Sequence, residues 1–192
     1  VTPLPSRSWL RIMGNFSNKQ KLSIKAKGEA LKFLFIIPYI TWHKDIRDHS
    51  GEPTGFLYLA TYASQQIKKE GLNIQIRFLD LQGEGENITI KTDRGYRSGL
   101  DDKSFIRKLV EYKPDVVGIT ANSHNRFHAI EVARGIKKKE KEILVCVGGC
   151  HFSPTAVSAL ETVPEIDIVV RGEGEETFLD LLNHYFRQKP LE

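Results

Sequence analysis

The 192-residue chain is 40% hydrophobic and 27% charged, which is the balance of one soluble globular domain. Two cysteines exclude a disulfide framework and predict a reducing, cytoplasmic setting. The main apolar stretch, residues 31–40, contains Lys32 and Pro38 and is too short to span a bilayer, so we expect no membrane partner.

The net charge of +4 is concentrated at the start of the chain. Residues 1–30 carry six Lys or Arg against one acid, whereas residues 31–192 have a balance of −1. A nucleic-acid-binding domain carries its basic patch on the folded body, so we expect no nucleic-acid partner. Because residues 1–30 lack a sustained apolar period and are rich in Ser, Lys and Pro, we predict a poorly ordered leader that is dispensable for folding.

From residue 31 the sequence alternates short β-branched or aromatic runs with longer segments of helical periodicity, which is typical of βα units around a parallel sheet. The predicted strands are 33–37, 73–79, 115–120, 143–147 and 167–170. The predicted helices are 54–69, 102–112, a segment through 129–136, 154–161 and 175–186, and the polar residues 81–100 receive no assignment. Right-handed crossovers then predict a flavodoxin-like α/β fold, a doubly wound five-stranded parallel sheet in the order 2-1-3-4-5 with helices on both faces.

In such sheets ligands bind beyond the carboxyl ends of the strands, at the point where the strand order reverses. The loops at that edge are 38–55, 120–125, 148–153 and 171–175. The first loop has 18 residues where about two to six usually connect a strand to a helix, and this length favours a binding loop over a decorative one.

The other three loops carry unusual clusters. Thr120–Ser123 either contacts a ligand or caps the next helix, and both interpretations stay open. The pair Gly148-Gly149 lacks side chains, so a flat ligand or another backbone segment can approach closely. The acids of Arg171–Glu175 would repel a phosphate at the start of the last helix and suit hydroxyl or amide donors better.

Several kinds of site are disfavoured. Cys146 and Cys150 lack the third cysteine that an iron–sulfur site needs, and His43 and His49 lack further ligands, which favours solvated side chains. No G-x-G-x-x-G follows the first strand, and neither a P-loop nor a nucleophile elbow is present. We therefore predict no catalytic residue and no metal site in this chain, and a domain that holds a large ligand.

Several elements, taken in order, resemble the N-terminal cobalamin-binding domain of class B radical SAM enzymes, a group that includes B12-dependent radical methyltransferases, the anaerobic magnesium-protoporphyrin ester cyclase and ring-contracting enzymes. These elements are Pro38, PTGFLYLATYASQQIKKEG at 53–71, PDVVGIT at 114–120, VGGCHFSP at 147–154 and DIVVRGEGEETFLDLL at 167–182. The resemblance extends from about residue 31 to residue 188, which we take as the cobalamin-binding domain.

The resemblance implies a corrin over the carboxyl edge of the sheet, with its nucleotide tail beside the first strand. The cofactor-binding residues it implies are Pro38, Tyr39, Thr54, Gly55, Thr120, Ala121, Asn122, Ser123, Gly148, Gly149, Cys150, His151, Arg171, Gly172, Glu173, Gly174 and Glu175. The wider fold often carries D-x-H-x-x-G, whose histidine ligates cobalt. Here residues 45–51 read DIRDHSG, which does not fit, so no histidine ligand to cobalt is expected.

Radical SAM chemistry needs C-x-x-x-C-x-x-C to hold a [4Fe–4S] cluster, and these 192 residues do not contain it. The resemblance therefore implies that the cluster and SAM belong to an absent C-terminal radical SAM domain, with residues 189–192 beginning the linker to it. The predicted function is the cobalamin-binding module of such an enzyme, a B12-dependent methyltransferase or a related enzyme that modifies C–C bonds or rings. The alternative is a cofactor-free α/β interaction or regulatory domain that retains only the scaffold.

Overall fold

A mostly apolar run, Leu31–Ile37, forms a central strand of the main sheet. The computed structural model describes residues 12–14, 29–42, 54–85 and 88–187. In chain order its elements are β1 (Ile12–Gly14), β2 (Leu31–Ile37), β3 (Ile40–Trp42), α1 (Thr54–Glu70), β4 (Ile74–Asp80), β5 (Thr89–Thr92), β6 (Gly95–Ser98), α2 (Asp102–Tyr112), β7 (Val116–Thr120), α3 (Arg126–Lys139), β8 (Leu144–Gly148), α4 (Phe152–Thr162), β9 (Ile168–Val170) and α5 (Gly174–Arg187), with a 3-10 turn at Gly83–Gly85.

The main sheet has the order β1-β9-β8-β7-β2-β4. Its strands from β9 to β4 are all parallel, and β2 pairs with both β4 and β7. The predicted flavodoxin-like order 2-1-3-4-5 is therefore confirmed. The five predicted strands are present, with ends shifted by no more than two residues.

Two apolar cores cover the two faces of this sheet. Because successive side chains of a strand alternate between faces, Leu34 and Ile36 contribute to the core that contains α2, α3 and α4. Phe33 and Phe35 contribute to the opposite core, which contains α1 and α5. A strand that is buried on both faces explains why β2 is apolar except at Lys32.

A second, three-stranded antiparallel sheet has the order β3-β6-β5. The sequence did not predict it, because β3 has only three residues and the β5–β6 hairpin lies in the unassigned polar stretch 81–100. The sheet follows β2 directly, and Thr41 Oγ1 lies 2.7 Å from His128 Nε2 on α3. This hydrogen bond joins the small sheet to the α3 side of the carboxyl edge.

Three residues correct the prediction for the leader. Ile12–Gly14 form β1, which pairs antiparallel with β9 at the edge of the main sheet. The strand was missed because three residues carry no detectable periodicity. His43, His49 and residues 189–192 lie outside the described residues. Within the described part of the chain, no helix is long and apolar enough to cross a membrane.

Candidate functional site

A cavity of about 190 Å³ lies between the main sheet and helices α1 and α5, and it reaches the carboxyl-edge loops. It is lined by residues from four strands and two helices, namely Phe33, Phe35, Gly55, Phe56, Leu59, Gly118, Ile119, Thr120, Cys146, Val147, Gly148, Gly149, Val170, Gly172, Glu173, Gly174, Glu175, Phe178 and Leu181. We call it the glycine cavity, because six of these residues are glycines.

The inner wall of the glycine cavity is aromatic. The rings of Phe33 and Phe178 meet edge to face with centroids 4.7 Å apart, and those of Phe35 and Phe56 lie 4.9 Å apart. A Cβ on Gly118, in the middle of β7, would lie 2.9–3.0 Å from the rings of Phe33 and Phe35. Gly118 thus leaves room for both rings beside β7, and they line the apolar slot beside β2.

The two glycines that end β8 serve different purposes. Gly149 has a φ of +95°, and a Cβ there would stand 2.5 Å from the carbonyl oxygen of Ala121, so the backbone itself requires glycine. Gly148 has no such constraint, because its nearest neighbour to a Cβ is the carbonyl oxygen of Val170 at 3.5 Å. Of these two glycines, Gly148 is therefore the one whose position no neighbouring backbone atom restricts to glycine.

Backbone and side-chain hydrogen bonds hold the loops of this rim together. The Ala121 N–H donates to Gly148 O at 3.0 Å, and the His151 N–H donates to Ala121 O at 3.2 Å. Arg171 Nε donates to Ser153 O, and the Gly172 N–H donates to Ser153 Oγ, both at 3.1 Å. The loops after β7, β8 and β9 are thus tied to one another, so the rim is preorganised.

The polar groups at the rim are mainly carboxylates and a hydroxyl. Glu173 is exposed, Glu175 is partly buried, and Thr120 completes the lining. Among the described residues, no arginine or lysine lines the glycine cavity. As the sequence suggested, this rim suits hydroxyl or amide donors better than an anion.

The two cysteines differ in exposure and are not joined. Cys146 is buried in the cavity wall, and burial raises the pKa of its thiol far above the ordinary value, so it is a neutral apolar side chain at neutral pH. Cys150 is exposed and free. Within the described residues, no group of His, Cys, Asp and Glu side chains could hold a metal ion.

The structure brings together eight of the seventeen residues predicted for the site. The glycine cavity is lined by Gly55, Thr120, Gly148, Gly149, Gly172, Glu173, Gly174 and Glu175. The other nine do not line it, and these are Pro38, Tyr39, Thr54, Ala121, Asn122, Ser123, Cys150, His151 and Arg171.

Two of those nine have other roles. The Asn122 side chain accepts the N–H groups of His124 and Asn125, so it shapes the turn before α3, which is close to the helix-capping alternative. Tyr39 is buried on the α3 side, with Arg97 stacked 4.1 Å from its ring. Burial raises the pKa of Tyr39 to about 12, although Arg97 lowers it, and the hydroxyl has no hydrogen-bond partner among the described residues.

The sequence reasoning missed the aromatic wall. Phe33 and Phe35 were predicted only as part of a buried strand, and Phe178 only as part of an amphipathic helix. One signal was available, since Gly118 interrupts the buried run DVVGIT and a glycine inside a strand marks a close approach of another group.

The sequence of this chain is similar to those of several known proteins. A model of the B12-binding domain family matches residues 48–182. An uncharacterized methyltransferase of Pyrococcus horikoshii is 28% identical over 165 residues, covering 85% of this chain and 31% of that protein. The cytidylyl-2-hydroxyethylphosphonate methyltransferase of Streptomyces wedmorensis is 29% identical over 160 residues, covering 80% of this chain and 28% of that protein.

A shorter match is to a cobalamin-dependent radical SAM methyltransferase of Streptomyces tokunonensis. It is 31% identical over 70 residues, which cover 36% of this chain and 10% of that protein. The chain spans about three tenths of the length of the first two relatives.

Proposed function

The chain belongs to the B12-binding domain family, and from that premise we propose that it holds cobalamin at the carboxyl edge of the main sheet. The resemblance stated from the sequence is confirmed at the level of this family. The single observation that carries the proposal is the glycine cavity, an apolar slot beside β2 that begins at the carboxyl-edge loops.

The residues present fit the cofactor. A flat aromatic base, such as the benzimidazole that ends the nucleotide tail of cobalamin, suits a slot walled by Phe33, Phe35 and Phe178. The corrin carries amide side chains, and the rim of Thr120, Glu173 and Glu175 offers acceptors for amide N–H groups without a cation. This match of shape and polarity supports the proposal.

Cobalamin, when bound, supplies a cobalt centre that can carry a methyl group. The role of this chain is to bind the cofactor and to orient it. The loops after β7, β8 and β9 are joined by hydrogen bonds, so they present a rim of fixed shape. The aromatic wall excludes water from the slot, which favours an apolar group there.

Reconstitution tests the proposal directly. The 192-residue protein is mixed with hydroxocobalamin and desalted, and its visible spectrum is recorded. We expect near-stoichiometric retention of the corrin absorbance with the folded protein. Loss of all corrin colour on desalting would contradict cobalamin binding and favour the cofactor-free interaction domain.

We also propose that this chain is part of a longer radical SAM methyltransferase or related enzyme, with a [4Fe–4S] cluster and SAM bound outside these residues. The support is the coverage, since the chain spans about three tenths of two methyltransferases that it resembles. The test is iron, sulfide and SAM-cleavage analysis of the protein isolated anaerobically at its natural length. Absence of a cluster from that protein would contradict the radical SAM part and leave cobalamin binding to be judged separately.

A further inference from the structure

We propose that a second cavity, on the α3 side of the carboxyl edge, binds the phosphoryl or phosphonyl group of a small molecule other than cobalamin. This arginine cavity has a volume of about 380 Å³ and is lined by Thr41 on β3, Arg94 in the β5–β6 turn and five residues of the segment 123–128. It shares no lining residue with the glycine cavity. The inference does not depend on cobalamin binding.

The first support is a pair of arginines that face one ring. The guanidinium carbons of Arg94 and Arg126 lie 4.8 and 4.1 Å from the ring centroid of Phe127, and both residues line the arginine cavity. Among the described residues, neither guanidinium has a carboxylate within 4 Å. An anion in a cavity that two cationic residues line would gain charge-assisted hydrogen bonds from their guanidinium groups.

The nearby carboxylates are engaged or point elsewhere. Glu131 Oε2 lies 2.8 Å from Nδ1 of His128, and His128 Nε2 lies 2.7 Å from Thr41 Oγ1. Glu131 therefore orients the imidazole and, through it, the hydroxyl in the cavity wall. Asp93 adjoins Arg94 in the turn but does not line the cavity. As far as the structure describes the chain, the walls thus present cations and neutral donors and no carboxylate.

The positive charge of Arg126 also affects a nearby titratable residue, His151. The pKa of His151 is lowered by burial and, to a smaller extent, by the charge of Arg126. The Asn125 side chain, at the N-cap of α3, accepts the N–H of Asn122 at 2.8 Å and makes no hydrogen bond to the first turn of that helix. The charge of Arg126 thus extends beyond the cavity lining to His151.

The ligand is assigned to a phosphorylated or phosphonylated small molecule because of where the cavity lies. The glycine cavity, proposed for the nucleotide tail, opens on the α1 and α5 side, whereas the arginine cavity lies under the small sheet. Its volume is several times that of a single water, so it has room for an organic group beyond the anion. Two guanidinium groups match the oxygens of a phosphate or phosphonate.

The test is a titration of the isotope-labelled, cobalamin-free 192-residue chain with inorganic phosphate, followed by NMR of the backbone amides. A residue-resolved signal is needed because the basic residues 1–30 will also attract phosphate. We expect saturable shifts of the amides of residues 123–128 and of Arg94. Absence of saturable shifts there would overturn the proposal.

Two variants and a matched control sharpen the result. Arg94→Gln removes a charge whose only described contact is the Phe127 ring, and we expect at least tenfold weaker phosphate binding. Arg126→Gln should weaken it similarly, although Arg126 also donates to Ser123 O and needs a check of folding. The control is Arg107→Gln, an exposed arginine on α2, which should leave the shifts unchanged. Equal binding by Arg94→Gln and Arg107→Gln would overturn the site.

Two corrinoids distinguish a separate phosphate ligand from the phosphate in the nucleotide of cobalamin. Cobinamide lacks the nucleotide and its phosphate, whereas cobalamin has both. We expect that neither corrinoid displaces phosphate from the arginine cavity. Displacement by cobalamin but not by cobinamide would overturn the assignment to a second ligand, while a protein that binds phosphate here but retains no cobalamin would contradict only the proposed function.

Discussion

Gly149 and Ala121 approach so closely that a Cβ on Gly149 would stand 2.5 Å from the Ala121 carbonyl oxygen. The same oxygen accepts the N–H of His151 at 3.2 Å, so the contact joins the loops that follow β7 and β8. The sequence left open whether a flat ligand or another backbone segment approaches the Gly148-Gly149 pair. For Gly149 the structure shows the second alternative, because the backbone of Ala121 already requires glycine there.

Gly149→Ala is expected to destabilise the protein whether or not a ligand is present. A Cβ at φ of +95° is strained, and it meets a backbone oxygen that cannot move without breaking the rim. We expect a loss of about 2 kcal/mol or more in the free energy of unfolding, measured by urea denaturation without cobalamin. A variant as stable as the parent would show that the two loops can separate freely.

Gly148→Ala is expected to weaken cobalamin retention while it leaves folding intact. A Cβ there meets Val170 at 3.5–3.6 Å, an ordinary contact, yet it adds a methyl group to the lining of the glycine cavity. We expect about tenfold weaker binding, since overfilling a packed site costs about 1–3 kcal/mol. The matched control is Gly135→Ala on α3, whose Cβ would lie 3.7 Å from Phe105, far from the cavity lining. Equal retention by both variants would contradict the assignment of Gly148 to the site.

Removal of residues 1–28 is expected to destabilise the protein moderately, in contrast to the expectation from composition. The deletion removes β1 and exposes the edge of β9, which loses the pairs Ile12–Val170, Met13–Val169 and Gly14–Ile168. With about 0.5–1.5 kcal/mol for each hydrogen bond, the melting temperature should fall by about 2–8 °C. Deletion of residues 1–10 keeps β1 and should leave the melting temperature unchanged. An equal effect of the two deletions would contradict a stabilising role of β1.

The main sheet could be predicted because its central strands are mostly apolar on both faces and its edge strand β4 alternates. Leu31–Ile37 and Val116–Thr120 are short runs bounded by polar or turn residues, and helical stripes lie between such runs. The small sheet could not be predicted in this way. Its strands have three or four half-buried residues, and what fixes β3 is pairing with β6, a partner more than fifty positions away. Such long-range pairing leaves no local periodicity.

The rim of the site could be predicted because loops at the carboxyl edge of a doubly wound sheet meet in space. The aromatic wall of the glycine cavity could not be predicted. A run such as LKFLFII does not indicate on which face of the sheet the covering helices leave a gap. That gap depends on how α1 and α5 pack over Phe33 and Phe35, which no local pattern in the sequence states. Ser123 was assigned to the cofactor for its position after β7, but it lines the arginine cavity instead.

His151 is expected to titrate below the ordinary value of 6.5, because burial and the charge of Arg126 both disfavour its imidazolium. The folded-state pKa is lowered, so the neutral form is favoured in the native protein and this contribution is lost as the pH falls below about 6.5. NMR titration of the imidazole signals measures the pKa. Arg126→Gln should raise it only in part, since burial is the larger cause, and a pKa above 6.5 in the parent would contradict this environment.

The last prediction concerns the lower face of the cobalt when cobalamin is bound. A ligating histidine normally has its other ring nitrogen held by a carboxylate or carbonyl, which fixes its tautomer. The residue two positions before His49 is Arg47. The residue two positions before His43 is Thr41, whose hydroxyl is already hydrogen-bonded to His128. Both ring nitrogens of His128 are engaged as well, by Thr41 and Glu131. We therefore expect no histidine on cobalt and, with the cofactor's own base in the apolar slot, no nitrogen ligand from it.

Electron paramagnetic resonance of the Co(II) form decides this point. A coordinated imidazole or benzimidazole nitrogen splits each cobalt line into three, and we expect unsplit lines. The matched variants His43→Ala and His49→Ala should leave the spectrum and the retention of cobalamin unchanged, because neither side chain has local support for ligation. A nitrogen triplet that disappears in one of these variants would identify that histidine as the ligand. A triplet that persists in both and is lost when cobinamide replaces cobalamin would show instead that the base remains on cobalt, which would contradict its insertion into the slot between β2 and α5.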